Sequence, residues 1–257
     1  MGLSGQDDVE FVVLLKLLIF LVENCFLEIR SLPRVYETVF GFLVKYLSVK
    51  DRGSLVQINA LQLMCLLLYF DPKPFTAVAR KFHVSDQVFY TLFGQLDLFE
   101  QFNQKDDLLL GISGLFRLQE ADFPDVVPMS SLMREAYNCV RSIFKSKSQL
   151  MSHSEGGSQE TRPSTGTPDE EDLYSEDDED DDDWNEDVYF QEELNYEYES
   201  PFQDVEAVEI FENVLKQVEA RDPLYFKRII SELAPAERSE MNGLFMNMKQ
   251  MKCLNKN

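Results

Sequence analysis

The sequence predicts an all-α protein built from stacked antiparallel helix pairs, in the manner of an α-solenoid. Long apolar segments are separated by short turn signals, and most are too long for ordinary strands. Within residues 33–49, the side chains of Val35, Val39, Phe42 and Leu43 follow the spacing of one helix face. The helix pairs recur about every 40 residues, as in helical-repeat proteins. A compact helical bundle is the alternative arrangement.

The order of the amino-terminal helices follows from their start and stop signals. The first is expected from about residue 8 to 29, and the second begins at Pro33, a residue suited to a first helical turn. The third spans about residues 54–70 and ends before Pro72. Ser85 is expected to cap a later helix. Further helices are expected at about residues 75–82, 85–99, 108–116 and 129–147.

Changes in composition divide the chain into three regions. Residues 1–151 are expected to form the helical-repeat domain. Residues 152–201 are rich first in Ser, Gly, Thr and Pro and then in acidic residues. Such a segment buries too little apolar surface to offset the cost of ordering the chain, so we expect a disordered acidic insert. Residues 202–257 are expected to form a short carboxy-terminal helical segment.

The carboxy-terminal segment contains its own helix signals. Asp222 is expected to cap a helix that begins at Pro223, and another helix is expected to begin at Pro235. These helices are too short to be stable alone. They are expected to pack on each other or on the amino-terminal body.

An apolar stretch near the start of the sequence is a candidate for a membrane span or a signal sequence. It covers Phe11–Val22, is interrupted by Lys16 and follows acidic residues instead of basic ones. Roughly 18 to 20 apolar residues are needed to cross a bilayer. We therefore expect a buried helix of a soluble protein, with no membrane insertion.

Residues with catalytic or metal-binding chemistry are sparse. His83 is expected at a helix end and His153 in the flexible segment, and neither has neighbours that suggest a catalytic triad. The four cysteines are widely spaced and indicate neither a disulfide framework nor a zinc site. We predict that the protein is not an enzyme and has no catalytic residue, metal site or cofactor. The alternative hypothesis is that the protein is an enzyme whose site has no recognisable sequence pattern.

The sequence Gly-Ile-Ser-Gly at residues 111–114 is a candidate for a phosphate-binding loop. It lies inside a helical pattern, however, and lacks the Lys-Ser/Thr that follows the glycines of such a loop. Small residues on a helix allow a second helix to approach closely. We therefore predict a packing role for Gly111 and Gly114.

The negative charge of the protein is concentrated in one segment. The formal net charge is -22, and residues 169–199 contain 18 acidic residues and neither Lys nor Arg. We call residues 169–199 the acidic segment. Because a phosphate-binding surface needs clustered Lys and Arg, this distribution disfavours nucleic acid as a direct ligand. It favours a basic protein partner or a solubilising role.

Large aromatic side chains are interleaved with the carboxylates of the acidic segment. Aromatic faces and carboxylates both attract Lys and Arg side chains, so one interpretation is an adaptable clamp for a basic protein. The other is a spacer whose aromatics pack on the protein's own body. The ligand spacing of a calcium-binding loop is missing. The predicted cargo-binding residues are Asp177, Asp178, Glu179, Asp180, Asp181, Asp182, Asp183, Trp184, Glu186, Asp187, Tyr189 and Phe190.

Two short patterns predict phosphorylation. Ser175 precedes acidic residues, as in the sites of acid-directed kinases, and Thr167 precedes Pro168, as in proline-directed sites. Either phosphate would deepen the local negative charge.

Several local strings occur in order along the chain. They are Leu15–Phe20, Pro33–Glu37, Ala60–Met64, Leu68–Pro72, Leu108–Leu115, Asp181–Asp187, Ile210–Phe211 and Arg221–Phe226. In this succession the chain resembles the carboxy-terminal region of importin-β superfamily nuclear transport receptors. The branch that contains importins seven and eight is the one it resembles most.

The resemblance implies tandem HEAT repeats and a role in the nuclear import of proteins. It implies basic cargo of the histone or ribosomal-protein type, which agrees with the clamp interpretation. It also implies nucleoporins and the GTPase Ran as partners, and a location in the cytoplasm, the nucleus and the nuclear pore or envelope. Nothing in the chain matches the amino-terminal repeats through which such receptors mainly bind Ran. A histone-chaperone-like or scaffold protein that shields basic clients without transporting them is the alternative.

Overall fold

In a computed structural model of the protein, the structure describes residues 5–47, 54–100, 102–155 and 206–254. These residues form ten α-helices, two short 3-10 helices and no strand, so the predicted all-α class is confirmed. The 3-10 helices are Leu96–Leu98 and Glu120–Asp122. The α-helices are α1 (Gly5–Ser31), α2 (Pro33–Leu47), α3 (Ser54–Phe70), α4 (Pro72–Lys81), α5 (Ser85–Gly94), α6 (Phe102–Arg117), α7 (Met129–Glu155), α8 (Ala207–Arg221), α9 (Pro223–Ser231) and α10 (Pro235–Leu254).

The chain divides into two compact units. One combines Met1–Ser148 with Glu199–Asn257, and the other is Gln149–Tyr198. Of the second unit, the structure describes only residues 149–155, which end α7. Helix α7 therefore continues four residues into the insert predicted at residues 152–201, and the rest of that insert lies outside the described residues. The arrangement described below is that of the first unit.

Proline and aspartate mark the starts of several helices, as predicted. Pro33, Pro223 and Pro235 are the first residues of α2, α9 and α10, where a missing amide hydrogen removes no helical hydrogen bond. The side chain of Asp222 accepts a hydrogen bond from the Tyr225 amide at 2.9 Å. This confirms the predicted cap of α9.

The prediction for α5 was wrong in detail. Val84 occupies the capping position and Ser85 is already the first helical residue. The helix ends at Gly94, and the chain continues in the 3-10 helix Leu96–Leu98. Phe99 is buried although it lies beyond the helix. The apolar pattern in this stretch therefore indicated burial and not the length of the helix.

Helix α4 ends in a turn with a histidine in the left-handed conformation. His83, which was predicted at a helix end, has a φ of 57°. Its amide donates to the Arg80 carbonyl oxygen, and the Val84 amide donates to the Ala79 carbonyl oxygen, both at 3.0 Å. These are the hydrogen bonds of a Schellman motif, in which glycine is the usual residue because it has no Cβ atom.

Helix α3 lies at the centre of the core. Eleven of its 17 residues are buried, and they cover all sides of the helix. Helices α1 and α6 pack against α3, and α8 packs against α6. A helix that is apolar on all sides is stable in water only when neighbours cover it in this way. The contact of α8 with α6 also shows that the carboxy-terminal helices pack on the amino-terminal body.

Two glycines bring α6 close to α3. A Cβ atom at Gly114 would lie 2.1 Å from the carbonyl oxygen of Leu68, and one at Gly111 would lie 2.9 Å from the Cβ atom of Cys65. Nonbonded atoms are normally at least about 3.5 Å apart, so no larger residue fits without moving a helix. The predicted packing role of Gly111 and Gly114 is confirmed.

The carboxyl ends of α1, α3, α6 and α8 meet at one edge, so these helices run side by side in the same direction, α1 in the part that follows its kink at Cys25. The Arg30 Nε atom of α1 lies 2.7 Å from Oδ2 of Asp71, the residue after α3. The guanidinium of Arg117, at the end of α6, lies 4.9 Å from the centre of the Tyr69 ring. Arg221 of α8 donates to the Arg117 carbonyl oxygen at 2.8 Å. We call these four helices the parallel row.

The other helices lie outside the parallel row. Helix α2 contacts α1, α3, α4 and α5, and α4 contacts α3 and α6. Helix α7 contacts α6 through Lys105 Nζ and Ser142 Oγ, 2.9 Å apart, and α10 through a 2.7 Å hydrogen bond from Tyr137 to Glu240. Helices α9 and α10 pack on α8. Along the chain, members of the parallel row therefore alternate with helices outside it.

The apolar stretch Phe11–Val22 is buried on one face only. Leu15 and Val22 are buried, whereas Val13 and Leu17 are 48% and 50% exposed. The prediction of a buried helix was therefore wrong for the face that carries Val13 and Leu17. Both faces of this stretch are apolar, so the sequence has no periodic pattern that distinguishes the buried face from the exposed one. Among the described residues, no single helix is long and apolar enough to cross a membrane. Only α3 and α4 taken together, as a pair bent by 118°, reach that length and hydropathy.

Replacing Gly114 by alanine should strongly destabilise the protein. The new Cβ atom would meet the Leu68 carbonyl oxygen at 2.1 Å, so α3 and α6 must separate. Overpacking of this kind costs about 1–3 kcal/mol or more. The free energy of unfolding in urea, followed by circular dichroism, measures the loss. Gly41→Ala is the matched control, since nothing lies within 4 Å of a Cβ atom there. This control should stabilise α2 by up to about 1 kcal/mol, and equal effects of the two substitutions would contradict the close approach.

Replacing His83 by glycine should stabilise the protein by about 0.5–1 kcal/mol, because glycine adopts a positive φ without steric cost. The midpoint of thermal unfolding measures this gain. Glu232→Gly is the control, since Glu232 also follows a helix but has a φ of -69°. There glycine should destabilise the protein by making the unfolded chain more flexible. A loss of stability in both variants would show that the conformation of His83 is not strained.

Candidate functional site at the base of the acidic segment

The predicted cargo-binding residues lie between residues 177 and 190, outside the described residues. Thr167 and Ser175 also lie outside them. The structure does describe the residues on either side of this stretch, in α7 and at the start of α8. These residues and their neighbours on α6 form the candidate site, which we call the base.

An ion pair joins the two sides of the base. Lys147 Nζ on α7 lies 3.0 Å from Oε2 of Glu206, the residue before α8, and the two side chains are 25% and 26% exposed. The 58 residues between them, 148–205, therefore begin and end beside the same pair. Because solvent screens a partly buried pair less than an exposed one, this contact is stronger than a typical surface pair.

Two adjacent carboxyl groups of α6 belong to the base: Asp106 senses the charges of Lys147 and Glu206, and Asp107 contacts α3. Asp107 Oδ2 accepts a hydrogen bond from Gln62 Nε2 at 2.8 Å. Asp106 Oδ1 is shielded from solvent and has no hydrogen-bond partner. Burial raises the pKa of Asp106 to about 7, while the charge of Lys147 lowers it and that of Glu206 raises it. A protonated carboxyl group is neutral, so protonation of Asp106 lowers the free-energy cost of its burial.

Burial also raises the pKa of Asp107 to about 7. The hydrogen bond from Gln62 lowers it, and the carboxylates of Glu23 and Asp106 raise it further. Since both aspartates are partly buried beside other acids, full ionisation would place several negative charges in one poorly solvated region. The base therefore binds protons more tightly than isolated carboxylates do.

Helix α10 is connected to the helices around the base by further charged contacts. Glu240 of α10 accepts a hydrogen bond from the Tyr137 hydroxyl of α7 at 2.7 Å. Glu212 of α8 lies 2.7 Å from both Lys216 and Lys249. Burial acts to raise the pKa of Glu212, but hydrogen bonds from the two lysines lower it overall. Helices α7, α8 and α10 are therefore held together by charge as well as by apolar packing.

A small pocket lies between α8 and α10, lined by Glu206, Glu209, Glu212, Phe245 and Met248 among others. Its volume is about 20 Å³, which is roughly the space needed for one water molecule. Sites for drug-sized ligands measure about 300–1,000 Å³. This pocket is therefore not a site for a small-molecule substrate.

A second group of buried polar side chains lies at the carboxyl edge of the parallel row. Asp71 is only 7% exposed. Burial raises its pKa, and the charges of Arg30 and Arg117 oppose that rise. Burial and the charge of Asp71 in turn raise the pKa of Tyr36. An arginine–carboxylate group of this kind joins helix ends and supplies no pairing of a nucleophile with a base.

The residues considered for catalysis are distributed over separate helices. His83 is exposed at the end of α4, and His153 lies in α7 and not in a flexible segment, so that interpretation was wrong. Cys65 and Cys139 are buried, and burial raises the pKa of both thiols, which keeps them protonated. In the part of the chain that the structure describes, no group of three or more His, Cys, Asp or Glu residues is placed to hold a metal ion. That the protein is not an enzyme stays a prediction.

The base was not predicted from the sequence. The adjacent Asp106 and Asp107 were a usable signal, because charged residues next to the apolar run of α6 require partners. Their neighbours Lys147 and Glu206 are far away in the sequence, however, and helical periodicity relates only residues of the same helix. A signal for these contacts was therefore missing.

Comparisons of the chain with protein-family models, with curated proteins and with solved structures find no match. The base is therefore interpreted from its own geometry and charge. It joins both sides of a strongly acidic segment at one place on a helical body.

The ion pair of the base should contribute more to stability than an exposed pair. In a double-mutant cycle with Lys147→Met and Glu206→Gln, we expect a coupling energy of about 1 kcal/mol from urea unfolding. The matched control is the pair Lys81 and Glu37, whose atoms are 2.6 Å apart but whose side chains are 58% and 37% exposed. A coupling of about 0.2–0.5 kcal/mol is expected there. Coupling at the base no larger than this would contradict the structural role of the pair.

Proposed function

We propose that this chain binds basic proteins, as the carboxy-terminal, cargo-binding portion of an importin-like nuclear import receptor. One observation carries the proposal: a segment with 18 acidic and no basic residues is flanked on both sides by a single ion pair of the helical body. The charge specifies the class of client, because only Lys/Arg-rich surfaces gain from such a segment. The attachment at both sides supports a binding role over that of a free solubilising tail.

The aromatic residues of the segment support recognition of side chains in addition to bulk charge. Trp184, Tyr189 and Phe190 are interspersed among carboxylates along the sequence. A Lys or Arg side chain of a client can contact an aromatic face and a carboxylate at once. Since the segment is tethered on both sides, the first contact raises the effective concentration of the remaining groups around the client. We therefore propose that the carboxylates and aromatics of residues 177–190 bind the cargo.

We further propose that the helical body is a HEAT-type α-solenoid of antiparallel pairs. In such proteins each repeat contacts mainly its neighbours. The order α1, α3, α6 and α8 in the parallel row supports this arrangement, as does the alternation with helices outside the row. A compact bundle is the alternative, in which a helix would also contact members of the row that are not its neighbours.

The proposal predicts strong, salt-sensitive binding of a basic peptide. Fluorescence anisotropy of a labelled Lys/Arg-rich histone tail measures its Kd for the whole chain. The affinity should fall about tenfold or more between 0.1 M and 1 M salt, because the Debye length shrinks from about 10 Å to about 3 Å. A variant with Gly/Ser in place of residues 169–199 preserves the chain length and should lose binding.

Two further variants separate charge from aromatic contacts. One replaces Trp184, Tyr189 and Phe190 by serine, and the other replaces an equal number of acidic residues by asparagine or glutamine. Weaker binding in both supports the clamp, whereas an effect of the acidic variant alone supports charge attraction without aromatic contacts. Unchanged binding in the Gly/Ser variant would overturn the proposal and place recognition on the helical body.

A histone-chaperone-like or scaffold function is the second candidate, since the same acidic segment can shield a basic client without transport. The two differ in their partners. An import receptor requires nucleoporins and the GTPase Ran and moves between cytoplasm and nucleus. An import assay in permeabilised cells, with and without Ran, distinguishes them. Import of a labelled client that depends on both the chain and Ran supports the receptor, whereas shielding without import supports the chaperone.

A further inference from the structure

Helix α1 carries apolar side chains on two opposite faces. Leu15 and Val22 are buried. Val13, Leu17 and Phe20 are 48%, 50% and 41% exposed. With about 100° of rotation per residue, these three residues lie within about 60° of each other, and the two buried residues lie about 180° from their centre. All five precede the kink of α1. We call Val13, Leu17 and Phe20 the α1 stripe.

The two ends of the parallel row have different outer surfaces. At one end, α9 and α10 pack on α8, and none of the exposed residues of α8 is a large apolar one. At the other end, α1 packs against α3 and α2 and still exposes the α1 stripe. A stack of helices needs a polar outer face where it ends, because an exposed apolar face associates in water. Helix α1 therefore has the surface of an inner member of the row.

We propose that the α1 stripe is a self-association surface, on which α1 of a second copy packs antiparallel about a two-fold axis near Leu17. This contact continues the side-by-side packing of the parallel row past its apolar end. A second copy supplies the same stripe, so one surface fits itself, as in most symmetric dimers. Leu17 then lies against Leu17 of the partner subunit, and Val13 against Phe20 of the partner subunit. The proposal rests on the exposed face of α1 and not on the client-binding function.

The residues at the ends of the α1 stripe favour the antiparallel orientation. Glu10 and Asn24 are exposed, each about one turn beyond the stripe. Two antiparallel helices place Glu10 beside Asn24 of the partner subunit. Two parallel helices would instead place two Glu10 carboxylates together, and like charges that meet across an interface weaken association.

Most of the net charge of the protein lies outside the helical body. When the 18 acidic residues of the acidic segment are subtracted from the 46 of the chain, 28 remain against 24 Lys and Arg. Two helical bodies therefore meet with little net charge. Salt screens the repulsion that the two acidic segments add.

The size of the contact indicates a weak dimer. From Glu10 to Asn24 the helix is about 21 Å long, and a helix with its side chains is about 10 Å wide. This face is smaller than the roughly 800 Å² that each partner buries in a stable complex. We therefore expect a Kd on the order of 100 μM.

Sedimentation equilibrium of the full chain tests the dimer. Between about 10 μM and about 500 μM, the mean mass should rise from 29.8 kDa toward twice that value. Raising the salt concentration should leave this association unchanged or strengthen it, since repulsion between two acidic chains is screened. Binding of a basic client should weaken under the same conditions, so the two functions can fail separately.

Charge substitutions in the α1 stripe locate the contact. Leu17→Lys places two ammonium groups at the two-fold axis and should weaken association at least tenfold. Val13→Lys, in the same stripe, should weaken it as well. Leu224→Lys is the matched control, because Leu224 of α9 is 77% exposed and lies outside the stripe. An equal mixture of Leu17→Lys and Leu17→Glu should associate again, since opposite charges then meet at the axis. Circular dichroism shows whether each variant is folded.

Several results would overturn the proposal. One is a mean mass of 29.8 kDa at every concentration. In that case a loss of stability in Leu17→Lys shows that the stripe is covered within one copy, and unchanged stability leaves it to a different protein. Association that persists in folded Leu17→Lys and Val13→Lys, or that mixing does not restore, shows that the copies meet elsewhere.

Discussion

The contact between Gly114 of α6 and the backbone of Leu68 in α3 constrains the whole helical body. Helix α3 is buried on all sides, so its neighbours occupy the positions that its own surface allows. The missing side chains at Gly111 and Gly114 let α6 lie directly on the α3 backbone. Helix α8 packs on α6, and the residue before α8 forms the ion pair of the base. The position of the base therefore depends on a contact that involves no polar side chain.

The common direction of the parallel row gives the body an electrical asymmetry. Each helix has partial negative charge at its carboxyl end and partial positive charge at its amino end. Arg30, Arg117 and Arg221 lie at the carboxyl edge, where they offset the negative ends. Glu206 precedes the first residue of α8, at the amino end of that helix, where a negative charge is favoured. Asp106 lies beyond the first turn of α6, and burial raises its pKa.

Much of the fold could be predicted, because its signals act over short distances. Helix starts at proline, the cap at Asp222 and the small residues of α6 are each visible in a few neighbouring residues of the sequence. Burial was predicted less well: Val13 and Leu17 are exposed although they belong to an apolar run. The Lys147–Glu206 pair was not predicted, because it depends on how separate helices are placed. The parallel row was missed for the same reason, since periodicity shows which face of a helix is covered but not which helix covers it.

Because Lys147 and Glu206 hold the two ends of the intervening chain together, the acidic segment can change in evolution independently of the helical fold. The entropic cost of closing a flexible loop grows only with the logarithm of its length, so doubling the loop length costs about 0.6 kcal/mol. Insertions, deletions and repeat expansions between residues 156 and 205 would therefore leave the packing of α6, α7 and α8 almost unchanged. Related proteins could differ greatly in the number of acidic residues while sharing one helical core. The contact thus allows the charge available to a partner to vary over generations at little cost in stability.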